Sequence, residues 1–401
     1  MEIVKRAIYR LGKWEYTWVC LLVLVTLVMH FSIINHPPEP FFDEKYYIED
    51  ARAILSGHGE LRLEHPPLAQ LTITFGMFLF GDTPLGWRFF SVLFGTIGII
   101  FFYLVCCRLE MSPRASSLAT FILALENLNF VQASIAMLDV YSVTFMLVAF
   151  WFYLKGNYPF AGVFICLTTL AKLSGALALP VIVLHWLLLR RDRPVHFAAS
   201  MVLAPLLFIV LIPLFDFIIT RQLLLDPLTR IKYILLQTSR VTYSYATHPY
   251  SSRPWEWLLW LQIMPYCYTP HYMAAISLTV WALIIPSVFY LAFLAKKGNA
   301  AGLFGSLWFA STYLVWLPLS VITDRLSFVY YFYPTVGAIC IGLGLGLSQL
   351  IDWEQTWRRI GVRWAIIIAV SGYLLLHAGI FVILSPVFAQ WVKLAEHLIP
   401  T

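Results

Sequence analysis

Asp43 and Glu44 stand side by side at the start of the first long polar stretch of an otherwise apolar chain, FFDEKYYIEDARAILSGHGELRLEHPPLA over residues 41–69. A carboxylate within hydrogen-bond reach of a hydroxyl can take its proton. Asp43 is therefore a candidate general base, and Glu44 a candidate for holding the acceptor that loses the proton. Capping of the helix that follows is the competing use of Asp43. At the far end of the stretch His65 precedes Pro66 and Pro67, which fix φ and remove two backbone donors. That makes a stiff corner in which an imidazole can be held, or simply a turn at a membrane surface. No partner spacing joins His65 to a metal site, and no metal ligands are assigned.

A base of this kind needs a leaving group, and a departing phosphate needs fixed cations nearby. Arg88, Lys172 and Arg325 each fall at the end of an apolar run. Singly, each reads as a snorkelling anchor; together they form a candidate phosphate-binding set. Glu126, Asp139 and Lys172 lie within or at the rims of apolar runs, where a charge costs about 2.5–3.5 kcal/mol on the insertion scale, and Gln132 falls on the same side. They complete a candidate polar cavity. Tyr330, Tyr331 and His248 are further candidates, carried only by the resemblance described below.

The elements that must position these residues are membrane helices. The chain has 401 residues, of which 60% are hydrophobic and 12% charged, with a mean hydropathy of +0.78. A soluble domain carries about 25% charged residues. Long apolar runs recur from end to end, and no period-two segments suggest a β-barrel. The fold class is an all-α polytopic membrane protein, read as a single unit over residues 1–401. The net charge of +6 does not point to nucleic acid, because the basic residues flank the runs. Five of the six cysteines lie in or beside apolar runs and none forms a CxxC pair, so no disulfide framework or zinc site is implied.

Taking about 20 apolar residues per crossing, the expected spans are roughly 16–34, 84–107, 115–131, 135–154, 158–173, 175–189, 196–219, 273–295, 302–322, 328–350 and 364–386. The first outer loop, 36–83, is expected to hold a short amphipathic helix over 46–56 and an apolar helix over 68–80, too short to cross. A second long outer loop covers 220–272, and its Trp255, Trp257 and Trp260 series suits an amphipathic helix at the headgroup level. With a cytoplasmic N-terminus and about 11 spans, the clusters Lys5/Arg6/Arg10/Lys13, Arg108/Arg114, Lys155, Arg190/Arg191/Arg193, Lys296/Lys297 and Arg358/Arg359/Arg363 all fall inside. The candidate site and the C-terminus then fall outside. The glycines at 342, 344 and 346 sit inside a span and read as helix packing.

Several stretches, in order, resemble the protein O-mannosyltransferase family, polyprenyl-phosphate-mannose-dependent enzymes of the GT-C architecture. They are Asp43-Glu44, HPPL at 65–68, WRFFSVLFG at 87–95, ENLNFVQASIAMLD at 126–139, AGVFICLTTLAKLSGALALP at 161–180, HPYSSRPWEW at 248–257 and RLSFVYYFYP at 325–334. The resemblance covers about residues 40–340. It implies inverting transfer of mannose from a dolichyl- or other polyprenyl-phosphate mannose to Ser/Thr hydroxyls of proteins. It also implies a catalytic Asp43, a Glu44 in the acceptor site and an Arg325 near the lipid phosphate. Two departures stand out: Ser134 where the family often has arginine, and Tyr331 where it commonly has histidine. The loop after the seventh span is too short for the soluble MIR domain of eukaryotic members, so the chain resembles the compact prokaryotic form of a plasma membrane.

The implied partners are a lipid-linked sugar donor, a protein or peptide acceptor and membrane lipids. No cofactor beyond the donor is called for, a divalent metal is neither required nor ruled out, and pairing of two copies is compatible with the family. A related GT-C enzyme moving aminoarabinose from a polyprenyl phosphate to a glycolipid is the alternative. A transporter would spread its charges through the bilayer and show inverted repeats; neither is seen.

Overall fold

The computed structural model describes residues 14–59, 61–222, 226–356 and 359–389. The basic cluster Lys5–Lys13, Arg358 and the C-terminus lie outside them. Among the described residues, seven helices are long and apolar enough to cross a membrane: Tyr16–Ile33, Pro84–Arg108, Leu173–Arg190, Pro194–Thr220, Ala300–Thr323, Val329–Thr356 and Ile360–Leu384. An eighth crossing follows if Asn127–Ser134 and Leu138–Leu154, bent by 115° at their junction, count as one. Their outward faces are apolar. Trp18, Leu24, Val28, Val202, Val210, Ile368, Leu375 and Ile383 are all exposed, a surface that water would not tolerate but lipid requires. The chain is an integral membrane protein.

The remaining expected spans are present as shorter helices, Pro113–Ala124, Tyr158–Ala171 and Ile284–Lys296. Each is cut short where a polar group enters. Pro113–Ala124 stops before Glu126, whose side chain caps the next helix by accepting from the Asn129 amide at 2.8 Å. Tyr158–Ala171 stops at Lys172, which has extended backbone. The run expected to span from 273 begins instead as a strand, Tyr272–Ala275, paired antiparallel with Ile263–Cys267. Length is given up where backbone or side-chain polarity is needed, so a count by hydropathy alone differs from a count by geometry.

The first loop holds the helices Glu44–Leu55 and Leu68–Phe80, within two residues of the positions read from sequence. The second long loop differs from expectation. Its amphipathic helix is Pro227–Ser239, capped by Asp226, while the tryptophan series falls on a single turn, Glu256–Leu259. Trp257 is fully buried there and donates its indole N–H to Ser252 Oγ at 2.9 Å. Trp255 and Trp260 remain exposed. The prolines and serines of HPYSSRPW prevent the longer helix.

Helix pairs pack through small residues. A Cβ on Gly162 would lie 2.2 Å from the Ser200 carbonyl oxygen, and one on Gly344 would lie 2.6 Å from both the Ala115 carbonyl and the Ala119 Cβ. At the end away from the polar loops, Arg114 pairs with Asp352 at 2.5 Å, and Arg190 donates to the Tyr153 and Leu154 carbonyls at 2.7 and 3.1 Å. The basic loops are thus tied to one another at one end of the bundle.

These contacts give a direct check on the packing. Gly162→Val should destabilise the protein by about 1–3 kcal/mol, the usual cost of overpacking, and lower its melting temperature in detergent. Gly372→Val, where a Cβ meets nothing within 4 Å, should leave it unchanged.

Candidate active site

The chain enters the site with a forced turn. Phe42 has φ 51°, a left-handed conformation that costs about 1–2 kcal/mol for a residue with a Cβ. Stacking offsets that cost: the Phe42 ring lies on Tyr266 with centroids 3.9 Å apart, and the Tyr266 hydroxyl accepts from Gln132 Nε2 at 2.8 Å. The turn releases Asp43, which stands at the N-cap of Glu44–Leu55 but makes no side-chain capping bond. Its carboxylate is left for other work.

Glu44 is fully buried and committed. Its two oxygens accept from Arg88 at 2.6 and 3.2 Å, from the Ala136 amide at 3.0 Å and from the Phe41 amide at 3.4 Å. Arg88, also fully buried, donates through Nη1 to the Ile34 and Pro37 carbonyls, each at 2.9 Å. The two residues expected to touch acceptor and donor phosphate are instead each other's partners. They brace the loop behind Asp43, and Arg88 lines neither of the two cavities that Asp43 faces.

A cavity of about 430 Å³ opens in front of Asp43. Its polar wall is Asp43, Tyr47, His65, Asp139, Lys172, Arg325, Tyr330 and Tyr331; its apolar wall includes Leu173, Leu177, Leu235, Val315, Trp316 and Leu319. Lys172 Nζ meets Asp139 Oδ1 at 2.6 Å and lies 5.6 and 5.4 Å from the centroids of the Tyr330 and Tyr331 rings. The second Asp139 oxygen is buried with no hydrogen-bond partner. Arg325 follows Asp324, which takes φ 50°. That turn is held by Arg253 on Asp324 at 2.6 Å and by the Ser244 amide at 2.9 Å. Arg325 contacts the Tyr331 hydroxyl at 3.4 Å and, among the described residues, makes no ion pair. The cavity therefore combines cations, an unpaired carboxylate oxygen and a greasy wall.

Asp43 also faces a second, polar cavity of about 250 Å³, lined by Tyr46, Tyr47, Asp50, Arg62, Glu64, His65, Pro66, Gln70 and Leu138 besides Asp43. Asp43, Tyr47 and His65 belong to both. Burial raises the Asp43 carboxyl to about 6, with Lys172 pulling it down and Asp139 pushing it up. It remains mostly ionised at neutral pH, as a base must. Burial, followed by the charges of Lys172, Arg325 and Arg230, lowers His65 to about 3. His65 is therefore a neutral hydrogen-bonding group at neutral pH.

The His65 corner is fixed from outside by a residue that sequence reading missed. Arg230, fully buried, pairs with Asp216 at 2.8 Å and donates to the Leu63 and His65 carbonyls. A signal was present: Asp216 is a lone charge in the apolar run 194–220 and needs a partner. Tyr47, Tyr266 and Trp316 were also missed, because an aromatic in an aromatic-rich chain carries no signal of its own.

Of the other candidates, Glu126 and Gln132 lie one layer behind the cavity. Glu126 joins the Ser277 and Asn129 amides, both at 2.8 Å. His248 is exposed and accepts from the Tyr250 amide at 3.2 Å, away from both cavities. Ser134, one of the two departures, bonds His30 at 3.1 Å and lines neither cavity; Tyr331, the other, lines the first. Among the described residues no group of three His, Cys, Asp or Glu side chains is arranged to hold a metal.

Comparison with known proteins agrees with this architecture. The sequence model of the family described as dolichyl-phosphate-mannose-protein mannosyltransferase matches residues 64–220. A polyprenol-phosphate-mannose–protein mannosyltransferase of Corynebacterium glutamicum is 32% identical over 157 residues, 35% of this chain and 30% of that protein. The matched stretch thus spans under a third of that relative. The Saccharomyces cerevisiae Pmt1-Pmt2 complex bound to the sugar donor superposes with a TM-score of 0.75 at 12% identity, covering 93% of this chain and 90% of the other. ArnT from Cupriavidus metallidurans bound to undecaprenyl phosphate gives 0.53 at 19% identity, covering 94% and 75%. The fold is that of the GT-C membrane glycosyltransferases. The match to the mannosyltransferase family model is confined to residues 64–220, while the likeness of fold to Pmt1-Pmt2 and ArnT extends over nearly the whole chain.

Glu44→Gln should leave the Arg88 charge buried and uncompensated, at a cost of about 3–5 kcal/mol. The expected outcome is a sharply lowered yield of folded protein on size-exclusion chromatography, rather than folded protein with weak acceptor binding.

Proposed function

We propose that this chain is an inverting glycosyltransferase that moves mannose from a polyprenyl-phosphate mannose to Ser/Thr hydroxyls of proteins. The observation that carries the reading is the position of Asp43 in the wall shared by two cavities, one cationic and apolar, the other polar. The names of the matched relatives support the donor and acceptor classes.

In this reading the polyprenyl chain lies along Leu173, Leu177, Leu235 and Leu319, and the phosphate meets Arg325 and Lys172. The free Asp139 oxygen takes a sugar hydroxyl, and the neutral His65 and Tyr47 shape the passage between the cavities. The acceptor hydroxyl arrives from the polar cavity on the opposite side. Asp43 takes its proton as the acceptor oxygen bonds the anomeric carbon and the anomeric C–O bond to phosphate breaks. The bonding pair leaves with the polyprenyl phosphate, whose growing charge the two cations stabilise. Attack from one side with departure on the other inverts the anomeric centre. Glu44, Arg88, Glu126 and Gln132 act here as supports.

The charge distribution favours an orientation with the basic loops in the cytoplasm and the site on the outer face of a prokaryotic plasma membrane. The likeness to ArnT sustains a second reading, transfer of another sugar such as aminoarabinose to a glycolipid.

Two measurements test the proposal. Asp43→Asn should lower transfer of radiolabelled mannose from synthetic polyprenyl-phosphate mannose to a Ser/Thr peptide by about 10²–10⁴-fold. Near-normal transfer would remove Asp43 from its role, and transfer to added glycolipid alone would select the second reading. With Asp43 near 6, the base is lost on protonation, so kcat/KM should fall about tenfold per pH unit below 6 and level off above 7.

A further inference from the structure

The polar cavity is not electrically balanced. Its lining carries the carboxylates of Asp43, Asp50 and Glu64 against one guanidinium, that of Arg62. Arg62 is already spent. It donates to Asp50 at 2.8 Å, to Glu49 at 2.6 Å and to the Tyr46 carbonyl at 3.0 Å. Among the described residues Glu64 makes no ion pair, and His65 is held neutral by burial and by the neighbouring cations. Glu64 is therefore the carboxylate of this lining left without an ion pair among the described residues, while Asp43, in the shared wall, also feels the charge of Lys172.

A second feature points to a ligand. Gln70 is 2% exposed and lines the same cavity. Its Nε2 donates to the Tyr47 carbonyl at 2.7 Å, which fixes the orientation of the amide. Its Oε1 is buried with no hydrogen-bond partner. A buried acceptor left open costs about 1–3 kcal/mol, and an incoming N–H or O–H donor would recover it. The cavity thus offers acceptor atoms and negative charge, and the one cation in its lining, Arg62, is already paired.

We propose that this cavity selects the acceptor by charge: it takes a hydroxyl-bearing peptide segment with a Lys or Arg close to the Ser or Thr. The basic side chain meets Glu64, and a peptide N–H or the hydroxyl meets Gln70 Oε1. The inference rests on the transferase reading above and names the acceptor class of that same site. It also separates acceptor classes, because a phosphorylated glycolipid would bring its phosphates against Glu64 and Asp50.

The test uses two peptides differing only beside the acceptor Ser, one with Lys and one with Glu, on the full-length protein. Binding is read by fluorescence anisotropy and transfer by kcat/KM at low salt. The Lys peptide should be favoured about tenfold or more in both readings, as expected for an interfacial charge contact. The preference should shrink as ionic strength rises. Glu64→Gln should reduce it to about twofold or less, while Glu64→Asp should keep most of it, which separates loss of charge from loss of fold. Equal binding of the two peptides, or a preference unchanged in Glu64→Gln, would overturn the charge selection. Charge-selective binding without transfer of mannose to either peptide would instead keep the selection and count against the mannosyl reading. A phosphorylated glycolipid that competes better than the Lys peptide would overturn both.

Discussion

The buried pair of Arg88 and Glu44 holds the rest of the site in place. Neither side chain touches solvent. A pair of charges removed from water is stable only when every remaining donor and acceptor is also satisfied. Here the Ile34 and Pro37 carbonyls accept from Arg88 Nη1, and the Ala136 and Phe41 amides donate to the Glu44 oxygens. Those partners come from the end of the first span, from the loop after it and from the break between Asn127–Ser134 and Leu138–Leu154. One ion pair therefore registers four pieces of chain against one another. It fixes the start of the helix Glu44–Leu55, and with it the residue just before that helix, Asp43.

The adjacent carboxylates divide the labour by burial. Glu44 turns inward with the buried face of its helix, beside Ile48 and Ala51. Asp43, at the helix entrance, faces the cavities. Two strained turns serve the same end: Phe42 and Asp324 take left-handed backbone immediately before Asp43 and Arg325. Each is stabilised by its surroundings, Phe42 by stacking on Tyr266 and Asp324 by Arg253 and Ser244. Such strain persists only where neighbouring contacts over-determine it, and here it aims the candidate base and the candidate phosphate-binding cation at one cavity.

Much of this was legible in the sequence. The helical membrane class follows from apolar runs that leave no other satisfied backbone, and the two short helices of the first loop follow from a Gly57 stop and a 13-residue apolar run between prolines and glycine. Asp43, His65, Asp139, Lys172 and Arg325 were legible as polar residues with no topological reason to be where they are. What stayed hidden was pairing. Sequence gives no way to tell that Arg88 faces Glu44 rather than a ligand, or that Glu126 caps a helix, because both depend on contacts tens of residues apart. The eleven expected spans were counted from hydropathy, which cannot see that Tyr158–Ala171 must end where Lys172 turns to Asp139. Asp216 stood out as a lone charge in an apolar run, but nothing in the sequence named Arg230 as its partner.

In-line displacement assisted by a single carboxylate, Asp43, in the wall shared by two cavities is the step on which the proposed reaction depends. The most direct measurement is the anomeric configuration of the product, read by NMR on a Ser/Thr peptide glycosylated by the purified protein from a donor of defined configuration. Inversion relative to the donor is the predicted result. Retention of configuration would require a covalent intermediate or same-face attack, and would contradict the proposal that donor and acceptor approach from opposite sides at Asp43.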